Sequence, residues 1–241
     1  MLQTRGNKIT WLGHASFAFT TPTGNVILID PWLAGNPACP PALKKPARVD
    51  IILITHGHGD HIGDVVTLAR AHKPKIAAIY ETGLWLEAQG LENVMGMGKG
   101  GTQKIGEIEA TLVNAFHSNG IESSDPGAPV VYGGEAGGFI IRLPGGLTIY
   151  HAGDTCVFGD MRIIGELYKP DVACLPIGDL YTMSPREAAV ACRLLKPKTV
   201  VPMHFGTFPA LTGRPEQLAA MIGDLPGTEV WPLEPGKPVE W

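Results

Sequence analysis

Residues 55–61 read Thr-His-Gly-His-Gly-Asp-His, so three imidazoles and one carboxylate fall between His56 and His61. The glycines at positions 57 and 59 keep the backbone thin and let it turn sharply. Imidazole and carboxylate groups are ligands for zinc and for other borderline divalent metals. The stretch therefore predicts a metal site; the simpler alternative is a polar loop at a helix start, capped by Asp60.

This stretch directly follows a predicted buried strand. Residues 49–54 read Val-Asp-Ile-Ile-Leu-Ile, a short apolar run rich in β-branched residues. A helix is expected after it, over about 62–71, with its apolar residues on one face. Folds of the α/β class place active sites at the ends of such strands, so the metal site is also a candidate active site.

The rest of the chain alternates short apolar runs with helical patterns. Further strands are expected at 9–12, 16–20, 26–29, 75–79, 111–116, 138–143, 147–151, 171–176, 199–202 and 229–231. Further helices are expected at about 84–89, at 185–195 behind the N-cap Ser184, and from 215 onward. Two sheets packed face to face with helices outside, a four-layer αββα sandwich, satisfy this α/β order. Because no linker interrupts it, we expect one domain over residues 1–241.

The composition excludes several classes of protein. With 44% apolar and 17% charged residues, the chain is typical of a soluble globular protein with a large core. The net charge of −4 and the lack of a Lys/Arg stripe argue against a nucleic-acid partner. No apolar run approaches the roughly 20 residues of a membrane span, and residues 1–10 do not resemble a signal peptide. The four cysteines are scattered, so we expect a cytoplasmic protein without a membrane partner.

Three more candidate ligands follow other predicted strands. His117 follows the strand at 111–116, Asp154 follows the strand ending at 151, and His204 follows the strand at 199–202. Each of them alone is compatible with a hydrogen-bonded polar residue at a strand end. Together with the stretch at 55–61, they favour a single site.

The complete pattern resembles the metallo-β-lactamase superfamily. It consists of Thr-His-x-His-x-Asp-His at 55–61, then His117, Asp154 and His204. The flanking stretches at 11–17, 115–119, 151–155 and 202–209 are similar to those of its uncharacterised metal-dependent hydrolases, the UPF0173-like branch near the ascorbate-6-phosphate lactonase-like proteins. The superfamily fold is the same αββα sandwich.

The resemblance implies a dinuclear site. Its pattern assigns His56, His58 and His117 to one metal ion, Asp60, His61 and His204 to a second, and Asp154 to both. Two Zn²⁺ ions are expected, while Mn²⁺, Fe²⁺ and Ni²⁺ are also compatible with these ligands. The absence of cysteine from the stretch distinguishes the chain from lactamases that use a thiolate, and the histidine at position 58 disfavours flavodiiron oxygen reductases.

The implied reaction is hydrolysis by a metal-bridging hydroxide. It would attack a small ester, lactone or phosphoester, with Asp60 orienting the hydroxide and carrying its proton. The net positive charge of such a centre favours a small anionic substrate. Two alternatives remain open: a non-haem iron redox enzyme on the same fold, and a non-catalytic protein that metal only braces. A homo-oligomer is compatible with the sequence.

Three further side chains and one segment are candidates for the surroundings of the metals. We expect His14 to contact the substrate or the metal ligands, or to be buried for structural reasons. We expect His151 to hydrogen-bond behind the ligands or to pack in the core. Asp179 is expected to end a strand and to face the site. The segment 118–137, long and rich in Gly, Pro and Ser, is predicted to be a substrate lid.

Overall fold

The computed structural model describes residues 3–123, 125 and 127–240. Its strands are β1 (Lys8–Trp11), β2 (Phe17–Thr20), β3 (Val26–Ile29), β4 (Ile51–Leu53), β5 (Lys75–Ile79), β6 (Val94–Met97), β7 (Thr102–Ile105), β8 (Ile108–Asn114), β9 (Gly120–Ile121), β10 (Val131–Tyr132), β11 (Gly137–Arg142), β12 (Thr148–His151), β13 (Val172–Pro176), β14 (Thr199–Met203), β15 (Glu229–Val230) and β16 (Pro238–Val239). Its α-helices are α1 (Gly59–Ile62), α2 (Val65–His72), α3 (Tyr80–Ala88), α4 (Met161–Tyr168), α5 (Pro185–Leu195) and α6 (Pro215–Met221).

Two seven-stranded sheets share one plan. The first has the order β16-β1-β2-β3-β4-β5-β6, and the second has the order β15-β14-β13-β12-β11-β8-β7. In the first sheet β1 to β3 pair antiparallel and β3 to β6 pair parallel. In the second, β7, β8, β11 and β12 pair antiparallel, whereas β12 to β15 pair parallel. Parallel neighbours end at the same edge of their sheet, so residues that follow β12 and β14 lie at one edge of the second sheet. Residues that follow β4 lie at the corresponding edge of the first sheet.

The core is divided into three layers of buried side chains. Phe17 and Phe19 of the first sheet face Phe139 and Ile141 of the second in the central layer. Ile140, between the last two, points to the other side and packs with helices α4 to α6, as strand alternation requires. The third layer lies between the first sheet and helices α1 to α3. The predicted four-layer αββα sandwich is therefore confirmed.

The helix expected at 62–71 is in fact two helices. The first, α1, begins inside the His/Asp stretch with His58 as its N-cap residue, so Asp60 lies in the first turn rather than at the cap. Asp64 separates the two helices because its backbone N–H donates to the Pro31 carbonyl and its carboxylate accepts from the N–H groups of Leu33 and Ala34. These bonds attach the segment after β3 to the start of α2.

Other helix boundaries agree more closely with those predicted from the sequence. The helix expected at 185–195 has those bounds, and Ser184 and Glu187 form the reciprocal capping hydrogen bonds. Helix α3 begins at Tyr80, four residues before the predicted start, directly after β5. The strands β6 and β7 were not predicted because one contains Gly96 and the other is largely exposed and polar. No helix in the described part of the chain is long and apolar enough to cross a membrane.

Part of the predicted lid forms the short hairpin β9–β10, which is attached to the metal-binding stretch through Asn119. The buried Asn119 side chain accepts a hydrogen bond from the Gly57 N–H (2.6 Å) and donates to the Gly133 carbonyl (2.7 Å). Residues 124 and 126 of the segment lie outside the described residues. Closure of this segment over a substrate stays a prediction.

Replacing Asn119 with alanine should lower the free energy of unfolding by about 1–3 kcal/mol, because the Gly57 N–H would stay buried without an acceptor. Urea denaturation at fixed metal content measures this. Asn25→Ala is the matched control, since the Asn25 side chain hydrogen-bonds near the surface. An equal loss in both variants would contradict the role given to Asn119.

Candidate metal centre

The seven side chains predicted to bind metal come from both sheets. His56, His58, Asp60 and His61 follow β4 of the first sheet. The other three come from the second sheet, where they follow β8 (His117), β12 (Asp154) and β14 (His204). The structure brings all seven together in two adjoining clusters.

The first cluster consists of three imidazoles. The Nε2 atom of His56 lies 3.0 Å from Nδ1 of His58, and Nε2 of His117 lies 3.3 Å from the same Nδ1 atom. His56, His58 and His117 each offer a nitrogen within 4.8 Å of the others. Three converging imidazole nitrogens can hold a divalent cation.

The second cluster contains Asp60, His61 and His204, together with His14. The Asp154 carboxylate joins the two clusters. Its Oδ2 atom lies 3.0 Å from Nε2 of His204, 3.3 Å from Nε2 of His61 and 3.7 Å from Nε2 of His117. One carboxylate oxygen thus contacts imidazoles of both clusters.

Several buried polar atoms here have no hydrogen-bond partner. Among the described residues they include Nε2 of His61, Oδ1 of Asp154, and both ring nitrogens of His204. The Nε2 atoms of His61 and His204 lie near the Asp154 carboxylate, but not with hydrogen-bond geometry. Leaving such an atom unpaired costs roughly 1–3 kcal/mol, and a coordinated cation removes that cost. The donor set therefore fits a metal, with imidazole and carboxylate ligands and no thiolate.

The electrostatics of the first cluster favour metal binding by its imidazoles over their protonation. Burial lowers the pKa of His56 well below its usual value, and the charge of His61 lowers it further. Burial also lowers the pKa values of His58 and His117. These imidazoles are therefore neutral at neutral pH, which is the state that binds metal.

The carboxylates and His61 behave differently. Burial would raise the pKa of Asp154, but the imidazoles of His204 and His61 hold it well below its ordinary range. For His61 burial would lower the pKa, whereas the carboxylates of Asp154 and Asp30 raise it well above the usual value. The space between these two carboxylates thus favours positive charge.

Asp30 is a site residue that the sequence did not reveal. It is fully buried and follows β3, next to β4 in the sheet. Its Oδ2 atom accepts hydrogen bonds from the Thr55 hydroxyl (2.6 Å) and from Nδ1 of His61 (2.8 Å). Such a bond leaves Nε2 of His61 free to bind metal. The available signal was an Asp at the end of a strand parallel to β4.

His14 contacts the ligands. Its buried ring lies with Nε2 3.0 Å from Oδ2 of Asp60 and Nδ1 3.0 Å from the Thr207 hydroxyl. Burial lowers the pKa of His14 to about 4, so the ring is neutral and carries one proton. Nε2 holds that proton, since an ionised carboxylate only accepts hydrogen bonds. The Thr207 hydroxyl then donates to Nδ1.

The other two uncertain residues lie outside the ligand clusters. His151 is buried, its Nε2 atom donates to the Ala15 carbonyl (2.9 Å), and its Nδ1 atom accepts from the Gly153 N–H. It therefore links the two sheets behind the site. Asp179 is exposed and accepts a hydrogen bond from the N–H of Leu180. It does not line the metal cavity.

An open cavity of about 380 Å³ leads to the two clusters. Besides candidate ligands, its lining includes Ser118, Glu122 and Tyr181. Sequence reasoning did not single out Tyr181, which follows two residues with left-handed backbone, Asp179 (φ 70°) and Leu180 (φ 56°). His14, Asp30 and His204 share this conformation, with φ values of 55°, 48° and 56°. Non-glycine residues adopt it at a cost, and it is common at functional sites.

Comparisons with known proteins agree with the fold. Residues 8–204 match the family described as the beta-lactamase superfamily domain. The chain is 56% identical to a UPF0173 metal-dependent hydrolase of Koribacter versatilis over 90% of its own length and 92% of that protein. It is 56% identical to one of Solibacter usitatus over 97% and 100% of the two lengths.

A solved structure is also similar over nearly its whole length. It is a metallo hydrolase from the hyperthermophilic archaeon Ignicoccus hospitalis, 36% identical, with a TM-score of 0.84 and 97% of both chains covered. The match over residues 8–204 and the identity to curated relatives are each sufficient to assign the family. This chain belongs to the metallo-β-lactamase superfamily, and within it to the UPF0173 metal-dependent hydrolases.

Proposed function

We propose that this protein is a hydrolase that holds two divalent ions, preferentially Zn²⁺, and cleaves a small ester, lactone or phosphoester. Its relatives are named metal-dependent hydrolases, which supports the class of reaction. The observation that carries the proposal is the set of buried, unpartnered ligand atoms on His61, Asp154 and His204 beside a solvent-accessible cavity. A purely structural polar cluster would satisfy those atoms internally.

The contacts suggest how the ions are shared. His56 and His117 would bind one ion through Nε2 and His58 through Nδ1, since these atoms face one another. Asp60, His61 and His204 would bind the other. Asp154 would contact both, because its Oδ2 atom already lies against imidazoles of the two clusters.

When bound, such ions lower the pKa of a coordinated water to roughly 7 and polarise the substrate oxygen. Asp60 would act as a proton acceptor in addition to binding an ion. Its pKa is lowered: burial opposes this, but the hydrogen bond from His14 and the nearby imidazoles outweigh it. The ionised carboxylate, with 29% of its side chain exposed, can accept a hydrogen bond from the attacking water and carry a proton to the leaving group.

Asp30 changes the expected charge of the centre. Two divalent ions bring four positive charges, and Asp30, Asp60 and Asp154 remove three of them. A bound hydroxide would remove the fourth. The centre is then less positive than the sequence indicated, so its preference for an anionic substrate is weaker. Neutral esters and lactones therefore belong in any substrate screen beside phosphoesters.

The direct test is a hydrolase screen over lactones, esters and phosphodiesters, with metal content and oxygen consumption measured on the same sample. Turnover with zinc or manganese and without oxygen consumption supports the proposal. Iron with oxygen consumption would instead support a redox enzyme on this fold.

Asp60→Asn should reduce kcat by at least about 100-fold, because the amide cannot take a proton from water. Steady-state kinetics at saturating metal measure this, with metal content and circular dichroism recorded for the same protein. Asp160→Asn is the matched control on an exposed residue. Unchanged turnover in the Asp60 variant would show that Asp60 takes no part in the reaction.

Asp30→Asn should weaken metal binding by about 10–100-fold, because the amide replaces the carboxylate that orients His61. Competition with a chromophoric chelator measures the affinity. Asp50→Asn is the control: Asp50 is a partly exposed carboxylate that precedes β4 and pairs with Arg48. Equal affinities in the two variants would show that the bond from His61 to Asp30 does not support metal binding.

Removing metal with a chelator should lower the melting temperature by about 5–10 °C. Metal at 100 times its dissociation constant contributes about 2.7 kcal/mol, and each kcal/mol shifts the melting temperature of a chain of this size by about 2–4 °C. Differential scanning calorimetry measures the shift, and adding Zn²⁺ back should reverse it. An unchanged melting temperature would contradict the assignment of all seven ligands.

A further inference from the structure

A second cavity adjoins the metal centre. Its volume is about 600 Å³, within the range of small-molecule sites. It lies between helices α1 to α3 on one side and, on the other, the hairpin β9–β10 with residues 122, 123, 128 and 129. Its apolar lining consists mainly of Ile62, Val66, Trp85, Ile121, Pro129 and Val131.

The two cavities adjoin at the start of α1. Gly59 and Glu122 line both of them. Apart from its chain neighbours and its own helix backbone, a Cβ atom at Gly59 would meet no atom of the described residues within 4 Å, so this position of the backbone is open. A substrate whose reacting bond lies at the metal ligands can therefore extend past Gly59 into the second cavity.

The lining of the second cavity suits an uncharged, apolar group. Glu122 is its one charged side chain among the described residues, and it stands at the junction. It would repel a second anionic group of a substrate. Trp85 is half-buried and Val131 is 43% exposed, so an apolar occupant would remove their apolar surface from water.

We propose that this cavity binds an apolar chain of the substrate, which makes the protein selective for esters or lactones that carry such a chain. The proposal rests on the hydrolase function proposed above. Hydrolysis adds one water across the ring ester bond of a lactone and gives a hydroxy acid, whose released proton can be followed with a pH indicator.

The kinetic test compares γ-decalactone with γ-butyrolactone, which share the ring and differ in a six-carbon tail. Wild-type protein should prefer γ-decalactone in kcat/KM. Val66→Trp should lower that preference at least about tenfold, since its side chain would fill the cavity. Val190→Trp, the same substitution at a 46% exposed position of α5, should retain it. Equal preferences in both variants would overturn the proposal.

A binding measurement separates this proposal from the hydrolase function. Isothermal titration calorimetry should show that metal-loaded protein binds decanoate at least about tenfold more tightly than butyrate, and that Val66→Trp loses this difference. If neither lactone is hydrolysed but decanoate keeps its Val66-dependent advantage, the cavity assignment holds and the lactone assignment fails. If decanoate has no advantage, or keeps it in Val66→Trp, the cavity assignment is wrong.

Val131→Ser provides a second variant in case Val66→Trp folds poorly. Val131 is 43% exposed, so the change puts little of the core at risk. The decanoate advantage should fall in this variant while the melting temperature stays near that of the wild type. If a well-folded Val131→Ser protein still binds decanoate more tightly than butyrate by the wild-type factor, Val131 of β10 does not contact the apolar chain.

Discussion

The contact of the Asp154 carboxylate with imidazoles from both sheets is the constraint on which the site depends. One oxygen lies within 3.7 Å of Nε2 atoms on His61, His117 and His204. These residues follow strands of different sheets, so their distances are fixed only when the two sheets pack correctly. The central layer of apolar side chains, including Phe17, Phe19 and Phe139, sets that packing. Stability and chemistry are therefore coupled through the interface between the sheets.

The sequence predicted the parts that depend on local pattern. The αββα layers followed from alternating strands and helices, and the seven converging side chains followed from strand ends together with a family pattern. Ser184 marked the start of α5 because capping chemistry is local. The position of the stretch at 55–61 also followed, since it comes directly after the buried strand β4.

The features that the sequence did not predict depend on contacts between residues far apart in the chain. Asp30 was missed because its partner His61 lies 31 positions further on, and a lone Asp before a proline gives no sign of a buried hydrogen bond. The break between α1 and α2 depends on bonds from Asp64 to the segment after β3, which periodicity cannot reveal. Asn119 looked like one more polar residue of a loop, although its side chain joins that loop to Gly57. Asp179 does not end a strand as expected, because β13 stops at Pro176; Asp179 lies in a turn with left-handed backbone, and its exposed carboxylate accepts from the Leu180 N–H.

The contribution of both sheets to the clusters has a consequence for biosynthesis. A growing chain contains the whole three-imidazole cluster once His117 has left the ribosome, yet the second cluster must wait for His204. Until then Asp154 and His61 lack the neighbour that completes their surroundings. Each ligand that arrives late must also close a long loop, although the entropy of closure grows only slowly with loop length. A cation captured early would thus be held by an unfinished shell, and complete retention would come only after the second sheet has been synthesised and packed.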